Sequence, residues 1–273
     1  MTVNSIRTPP VGLSMLTDKR LHRRISIIVF SILFIVLAWE LAARFLVRDE
    51  TLLPGPFSVW NHFTYLLTTS EKVGIQNDIW ASTARVLVGW AIGIAIGVPV
   101  GAALATNEVL RIGADPLLQA GRSVPPLAFA PLMVVWLGLG EPSKYVLIAL
   151  GVMPIIAINV SAAIGGIDRS LLRVTSTMGA SPFYRLRRVI IPAILADLFT
   201  SMRVTLGLAW ATVIAAELVA STAGLGYRIL KASQYMDTNT IFAGILAIGL
   251  LALIGDRVLL VLQKVLVPWR GVG

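Results

Sequence analysis

A carboxylate inside an apolar run is the clearest candidate for chemistry in this chain. Glu217 lies in the run 199–220, where an ionised group costs roughly 2.5–3.5 kcal/mol if the run spans a membrane. Such a group usually faces a cavity or a partner, so two interpretations stay open: a gate or pathway residue, or a structural hydrogen bond to a neighbouring helix. Trp210, in the same run, could likewise line a pathway or pack against lipid or another helix.

Residues for enzymatic chemistry are otherwise scarce. The chain contains no cysteine, which excludes disulfides and thiolate sites. His22 and His62 are its only histidines, and neither has an acidic residue at metal-ligand spacing. No lysine follows a glycine, so a phosphate-binding P-loop is absent. We therefore predict a non-enzymatic chain with no metal or cofactor of its own, for which any ATP energy must come through a partner.

Residues 179–192 form a charged segment between two apolar runs, named here the docking segment. Ser181 can cap a helix N-terminus, Pro182 suits the first helical position, and Gly179 suits the end of the preceding helix. An apolar face and a basic rim should result. The apolar positions are Phe183, Leu186 and Ile190, and the basic ones are Arg185, Arg187 and Arg188. The pattern predicts docking on a partner protein, with a loop that only touches anionic lipid as the alternative.

The elements that position these residues are predicted to be membrane-spanning helices. Hydrophobic residues make up 56% of the 273-residue chain, charged residues make up 14%, and the mean hydropathy is +0.83. The apolar blocks run over residues 25–47, 86–105, 124–140, 145–164, 199–220 and 241–265. Because about 20 residues cross a bilayer, we expect an all-α integral membrane protein with about six spans.

Lysine and arginine placement predicts the orientation. They cluster in the first 24 residues, in the loops after spans two and four, and at the end of the chain, whereas the alternate loops carry few. The positive-inside rule then places both termini and the docking segment in the cytoplasm. The net charge of +9 sits at membrane edges and not on a folded basic domain, so we predict contact with membrane lipid and none with nucleic acid.

Glycines in the second span recur every four residues, at Gly89, Gly93, Gly97 and Gly101. In lipid, such a stripe permits close backbone contact, so this helix should pack tightly against another one. Pro99 should kink it.

The third block begins with closely spaced prolines, among them Pro126 and Pro131, which prevent a straight helix. Broken backbone at membrane depth is tolerated where protein buries it or where it lines a cavity. We therefore expect this block near a pathway or in a tightly packed core. Two ion pairs are also predicted, Arg203 with Asp256, for which Arg257 is the alternative partner, and Glu40 with Arg44.

The docking segment resembles the second half of the loop that couples ABC importer permeases to their ATPase. Gly179 matches the loop glycine, and Val189, Ile191 and Pro192 match its closing positions, whereas residues 173–175 depart from the Glu-Ala-Ala of the first half. Residues 124–144 and 207–218 resemble the nitrate, sulfonate and taurine branch, most closely its taurine members. The resemblance covers roughly residues 50–270.

The resemblance implies a type I ABC importer permease fold with a cytoplasmic coupling helix. Charge and hydropathy predict a cytoplasmic tail over 1–24 and a membrane anchor over 25–48, and the resemblance implies a permease core over 49–273 with its coupling loop near 166–192. The ATPase contacts would come from this set: Gly179, Ala180, Ser181, Pro182, Phe183, Tyr184, Arg187 and Arg188. The pathway or gate candidates are Glu217, Trp210, Pro126 and Pro131.

The resemblance also implies partners and location. The chain would form a homodimer in the bacterial inner membrane, with two cytoplasmic ABC ATPase subunits that bind ATP and Mg, and with an extracytoplasmic substrate-binding protein. The expected solute is taurine or a related organic sulfonate. Nitrate, an alkanesulfonate or a pyrimidine precursor are alternatives within the family. An ion-driven secondary transporter is the alternative outside it, but such a carrier needs a polar relay and usually internal repeats, of which the sequence offers only Glu217.

Overall fold

The computed structural model describes residues 13–47, 49, 51–69 and 74–269, and every regular element in these ranges is helical. The prediction of an all-α membrane protein is therefore confirmed. The α-helices, in chain order, are α1 (Leu13–Leu41), α2 (Pro56–Thr68), α3 (Gln76–Thr106), α4 (Glu108–Ser123), α5 (Ala130–Leu137), α6 (Glu141–Gly165), α7 (Arg169–Thr177), α8 (Pro182–Arg185), α9 (Ile191–Ala220), α10 (Leu225–Gln234) and α11 (Thr238–Leu266). A 3₁₀ turn covers Pro126–Phe129, and π-helical turns cover Ala42–Val47 and Leu186–Ile190.

The chain divides into two units, residues 1–61 and 62–273. In the first unit, α1 runs without a break from Leu13 through the predicted anchor, so the second half of the predicted tail is helical; residues 1–12 lie outside the described part. The Trp39 indole donates a hydrogen bond to the carbonyl of Pro54 over 3.1 Å. Glu40 pairs with Arg44, as predicted.

Five helical segments are long and apolar enough to cross a membrane, and a sixth span is present if one bent pair counts as one. The five are Ile25–Val47, Gln76–Thr106, Glu141–Gly165, Phe183–Val219 and Thr238–Leu266. The bent pair joins Glu108–Ser123 to Pro126–Leu137 at 92°. The expectation of about six spans is thus confirmed, but the predicted third span at 124–140 is only the second half of the bent pair.

Helix α4 was predicted as a loop. Asn107 caps it by accepting hydrogen bonds from the amides of Val109 and Leu110, at 3.0 and 3.2 Å. It ends where Val124 adopts an extended conformation (φ −81°, ψ 122°) ahead of Pro125. A residue before proline is disfavoured in the helical region, which accounts for the break at this position.

The glycine stripe of α3 packs directly against α6. A Cβ built on Gly89, Gly93 or Gly97 would lie within 2.9 Å of the Cβ of Ile148, Val152 or Ile156, respectively. A Cβ on Gly101 would lie 2.5 Å from the carbonyl oxygen of Ala157. The branched side chains of α6 therefore fill the groove that the glycines leave, which holds α3 and α6 together along most of their length.

Helix α9 runs through the core of the second unit. Its buried residues Trp210 and Val213 belong to the main apolar cluster, and Thr205 accepts a hydrogen bond from the Trp90 indole of α3 over 3.1 Å. Arg203 binds Asp256 of α11 through two hydrogen bonds of 2.7 and 3.0 Å, which confirms that predicted pair. Helices α3, α6 and α11 thus surround α9.

Candidate functional site

The docking segment begins with a tight reversal after α7. Gly179 has φ +72°, a conformation that suits glycine, and the amide of Ala180 donates to the carbonyl of Thr175 over 3.1 Å. This bond, from an amide to the carbonyl five residues before it, is the signature of a Schellman motif. Gly179 therefore ends the preceding helix, as its residue type predicted.

The next helix is capped by Ser181. Its hydroxyl accepts a hydrogen bond from the amide of Tyr184 over 3.2 Å, and its carbonyl accepts one from the amide of Arg185 over 3.0 Å. At the start of α7, Asp168 accepts the amide of Ser170 over 2.7 Å, and this hydrogen bond lowers the pKa of the Asp168 carboxyl. That cap is fully formed near neutral pH and weakens as the pH falls toward the lowered pKa.

The docking segment exposes apolar and cationic side chains together. Phe183 is 69% exposed, and Met178, just before the segment, is 79% exposed. Tyr184, Arg187 and Arg188 are exposed as well. Ala180 is half-buried, and so is Ile190, so the predicted apolar face is only partly free. This surface can bind a second polypeptide that offers an apolar groove with an acidic rim.

The docking segment continues into α9 without a loop. Pro182–Arg185 is followed by the π-helical turn Leu186–Ile190, in which the amide of Ile191 bonds to the carbonyl of Leu186, and then by α9. The apolar span therefore begins at Phe183 and not at residue 199 as predicted. Three arginines lowered the local hydropathy and hid this continuity.

The far end of α9 carries a group of buried and half-buried charged and polar residues, named here the polar cluster. Its members are Asp78, Ser82 and Arg85 of α3, Glu141 and Lys144 of α6, Glu217 of α9, and Arg228 of α10.

Glu217 is completely buried at the centre of the polar cluster. One carboxylate oxygen accepts from the guanidinium of Arg85 and from the hydroxyl of Ser82, both over 2.8 Å. The other accepts from the amide of Gly226 over 2.8 Å. Both oxygens are thus satisfied within the protein.

Arg85 links Glu217 to α6. Its Nε and Nη2 bind the two oxygens of Glu141 over 2.6 and 2.7 Å, and its Nη1 also donates to the carbonyl of Ala223 over 2.6 Å. Lys144 adds a 3.2 Å bond to Glu141. Bidentate pairing of this kind fixes orientation as well as distance.

The turn between α9 and α10 is fastened to α3. The amide of Gly224 donates to Asp78 over 2.7 Å, and the amide of Leu225 donates to Ser82 over 2.9 Å. Gly224 has φ +119°, and a Cβ there would lie 2.5 Å from the carboxylate of Glu217. The turn can therefore approach the polar cluster only because Gly224 has no side chain.

Of the other candidate pathway residues, Trp210 and Pro126 lie in packed surroundings, whereas Pro131 is exposed. Trp210 is 5% exposed. Pro126 starts the 3₁₀ turn of the bent pair and faces Gly151 of α6, whose added Cβ would lie 2.7 Å from the proline ring. Pro131 lies in the first turn of α5. A role for these residues or for Glu217 in the solute pathway stays a prediction.

The α3 side of the polar cluster was not among the predicted site residues, although the sequence carries a signal of it. Asp78, Ser82 and Arg85 are spaced four and three residues apart, and Gly89 follows at the next position of the same face. Toward the N-terminus of α3, the glycine stripe therefore continues as a stripe of polar residues on the same face. Helical periodicity alone was enough to predict this stripe.

The described residues contain no group of three histidine, cysteine, aspartate or glutamate side chains that could hold a metal ion. His62 instead lies 2.8 Å from the hydroxyl of Thr240.

Comparison with known proteins gives consistent results. Residues 93–271 match the family model described as "Binding-protein-dependent transport system inner membrane component". The chain is 31% identical to the taurine transport system permease protein TauC of Escherichia coli over 95% of this chain and 99% of that protein. It is 34% identical to the putative aliphatic sulfonates transport permease protein SsuC of Bacillus subtilis over 86% of this chain and 84% of that protein.

A solved structure shows the same fold. The structure titled as inward-facing conformations of the MetNI methionine ABC transporter includes a chain that superposes with a TM-score of 0.55 at 24% identity, covering 70% of this chain and 99% of that chain. The type I importer permease fold is therefore shared. The family model and these relatives together show that the chain belongs to the binding-protein-dependent transport system inner membrane components. Within that group, it is an ABC importer permease of the nitrate, sulfonate and taurine family.

Proposed function

We propose that this chain forms the translocation pathway for taurine or a related organic sulfonate, and that ATP hydrolysis in a partner subunit drives it. The observation that carries the coupling part is the exposed docking segment, joined without a loop to α9. The near full-length similarity to a taurine permease, with a sulfonate permease beside it, supports the solute class.

Two copies of the chain would surround a pathway on their two-fold axis, in the bacterial inner membrane with both termini cytoplasmic. Each docking segment would bind one cytoplasmic ABC ATPase, which supplies the ATP and Mg site, and an extracytoplasmic binding protein would deliver the solute at the other face. Because the docking segment and α9 form one helix, a displacement at the ATPase would reach the membrane core directly.

Full burial of Glu217 and the occupation of both its oxygens support a structural role for this residue over contact with an anionic solute. The bent pair, which contains Pro126 and Pro131, is the better candidate for the pathway lining, because irregular backbone at membrane depth is tolerated beside a cavity.

Reconstitution tests the transport proposal. The chain, its ATPase and its binding protein are placed in liposomes, and uptake of taurine, an alkanesulfonate and nitrate is compared with and without internal ATP. ATP-dependent taurine uptake is the expected result. Uptake driven by an ion gradient without ATP would contradict the importer mechanism, and ATP-dependent uptake of nitrate alone would correct the solute.

Docking is tested by variants of the docking segment. Gly179→Pro cannot adopt φ +72° and Arg187→Glu reverses an exposed charge, so both should weaken copurification of the ATPase by roughly tenfold or more, given hot-spot losses of about 2 kcal/mol. Arg111→Glu, an exposed arginine in α4, is the matched charge control and should copurify normally. Normal copurification with Gly179→Pro and Arg187→Glu would refute docking at this segment.

A further inference from the structure

The polar cluster ties α3, α6, α9 and the turn into α10 together through ion pairs and hydrogen bonds. Arg85 of α3 binds Glu141 of α6 and Glu217 of α9, while Asp78 and Ser82 of α3 hold the turn into α10. One residue, Arg85, therefore contacts α6, α9 and the turn at the same time.

Charges within the polar cluster are balanced. Arg85 and Lys144 face Glu141 and Glu217, and Arg228 faces Asp78 with a 2.5 Å contact. Burying ions costs several kcal/mol each, and an ion pair often recovers no more than that cost. Net stability is thus a weak reason for such a cluster, and a fixed arrangement of the helix ends is the role tested below.

The two ends of α9 differ in their constraints. At the end of the polar cluster, Glu217 is completely buried and fully hydrogen-bonded. At the docking end, Phe183 and Tyr184 of the preceding docking segment are exposed, while Ile194 and Phe199 in the first turns of α9 pack in the main apolar cluster. A helix held by directional ionic bonds at one end and mainly by apolar contacts at the other converts a displacement of the second end into a tilt about the first.

We infer that Arg85 is a positioning residue for transport, which keeps the ends of α3, α6 and α9 and the turn into α10 as one rigid block throughout the ATP cycle. The inference rests on the proposed function, since the docking segment must be where the ATPase acts. Movement of that segment then tilts α9 about the block, and transport depends on the block staying intact.

Glu141→Gln is the informative variant. The Glu141 side chain is 44% exposed, so it is not itself a buried ion, and removing its charge weakens the bidentate bond that fixes Arg85 and the ion pair of the buried Lys144. Asp256→Asn is the matched control, because the Arg203–Asp256 pair is also bidentate and partly exposed, at 31% and 34%, but joins only α9 and α11.

The first readout is the amount of solute imported per ATP hydrolysed by the reconstituted complex. With Glu141→Gln, the complex should still hydrolyse ATP. The amount of solute imported per ATP should decrease by roughly two- to thirtyfold, the range expected when a coupling residue is removed. Asp256→Asn should leave the ratio unchanged. A merely structural pair would lower the amount of folded complex without changing the ratio, so an unchanged ratio in Glu141→Gln overturns the inference.

The second readout needs no solute. The amides of Gly224, Leu225 and Gly226 donate into the polar cluster, so hydrogen exchange of a peptide over residues 221–230 reports on the block. In the wild-type complex its protection should be equal without nucleotide and with ATP bound. Loss of protection on ATP binding would show that the block opens, and would overturn the inference.

Failure of the proposed function can be distinguished from failure of the rigid-block inference. If the chain copurifies with no ATPase or imports no taurine, the proposed function fails while the block is still tested in the chain purified alone. There, Glu141→Gln should speed exchange of the 221–230 peptide and Asp256→Asn should not. Equal exchange in the two variants refutes the block.

Discussion

Gly224 illustrates how one residue type permits a whole set of contacts. Its φ of +119° and ψ of 164° belong to a region that is essentially restricted to glycine, and its missing side chain leaves room for the carboxylate of Glu217 and the guanidinium of Arg85. Any side chain at this position must displace one of these buried charges.

Gly224→Ala should therefore destabilise the protein by about 1–3 kcal/mol for the backbone alone, and by more for the collision. Gly138→Ala is the matched control, because Gly138 has φ +78° and ψ −179° but an added Cβ there meets nothing within 4 Å. Thermal unfolding in detergent should show a clearly larger decrease for Gly224→Ala. Equal decreases would mean that the collision with the polar cluster has no effect.

Contacts between residues a few positions apart could be predicted from the sequence, but pairs between residues far apart in the chain could not. The Ser181 cap and the Gly179 reversal follow from residues within a few positions, and Glu40 with Arg44 follows from helical spacing. Arg85 lies 132 positions from Glu217 and just before an apolar block, so it looked like a helix boundary. Only the tertiary packing of α3 against α9 reveals the pair.

The pairing of α3 with α6 dominates at the scale of the elements. Glycines on one helix face the branched residues Ile148, Val152 and Ile156 on the other, so the backbones approach closely over several turns. Because the obstacle opposite Gly101 is a backbone carbonyl, this part of the interface cannot adjust by a rotamer change.

Gly101→Ala should destabilise the protein by about 1–3 kcal/mol, the usual cost of overpacking. Gly249→Ala in α11, where an added Cβ meets nothing within 4 Å, should be neutral or stabilise by up to about 1 kcal/mol through its greater helix propensity. The melting temperatures of the two variants in detergent check this. A stabilised Gly101→Ala variant would contradict the close approach of α3 to α6.

Element boundaries were less predictable than element type. The prolines of the third block correctly indicated a broken helix, but α4 was missed because its charged residues made residues 108–123 look like a loop. Helix α3 begins at Gln76, ten residues before the predicted block, since its first turns carry the polar stripe instead of apolar side chains. Hydropathy detects the apolar part of a helix and not its polar extension.

At the scale of the whole molecule, α9 separates the docking segment from the polar cluster. A helix of 30 residues is about 45 Å long at roughly 1.5 Å per residue, enough to cross a bilayer. The two features should therefore lie on opposite sides of the membrane, and the positive-inside rule predicts that the docking segment faces the cytoplasm.

Single cysteines can test this orientation, because the chain has none. A membrane-impermeant maleimide added to spheroplasts should label Tyr235→Cys, in the exposed connection between α10 and α11, and should not label Phe183→Cys. Inverted vesicles should give the reverse result. Labelling of both positions from one side would refute the arrangement.

The π-helical turn Leu186–Ile190 has a geometric consequence for the joined helix. It holds one residue more than an α-helical turn would, and each residue of an α-helix corresponds to about 100° of rotation and 1.5 Å of advance. If that extra residue were absorbed into regular α-helix, every side chain of α9 would swing around the axis relative to Phe183 while the axis itself hardly shifted. Because the polar cluster holds α9, the docking segment would turn about the axis instead, which changes the face that it presents to its partner.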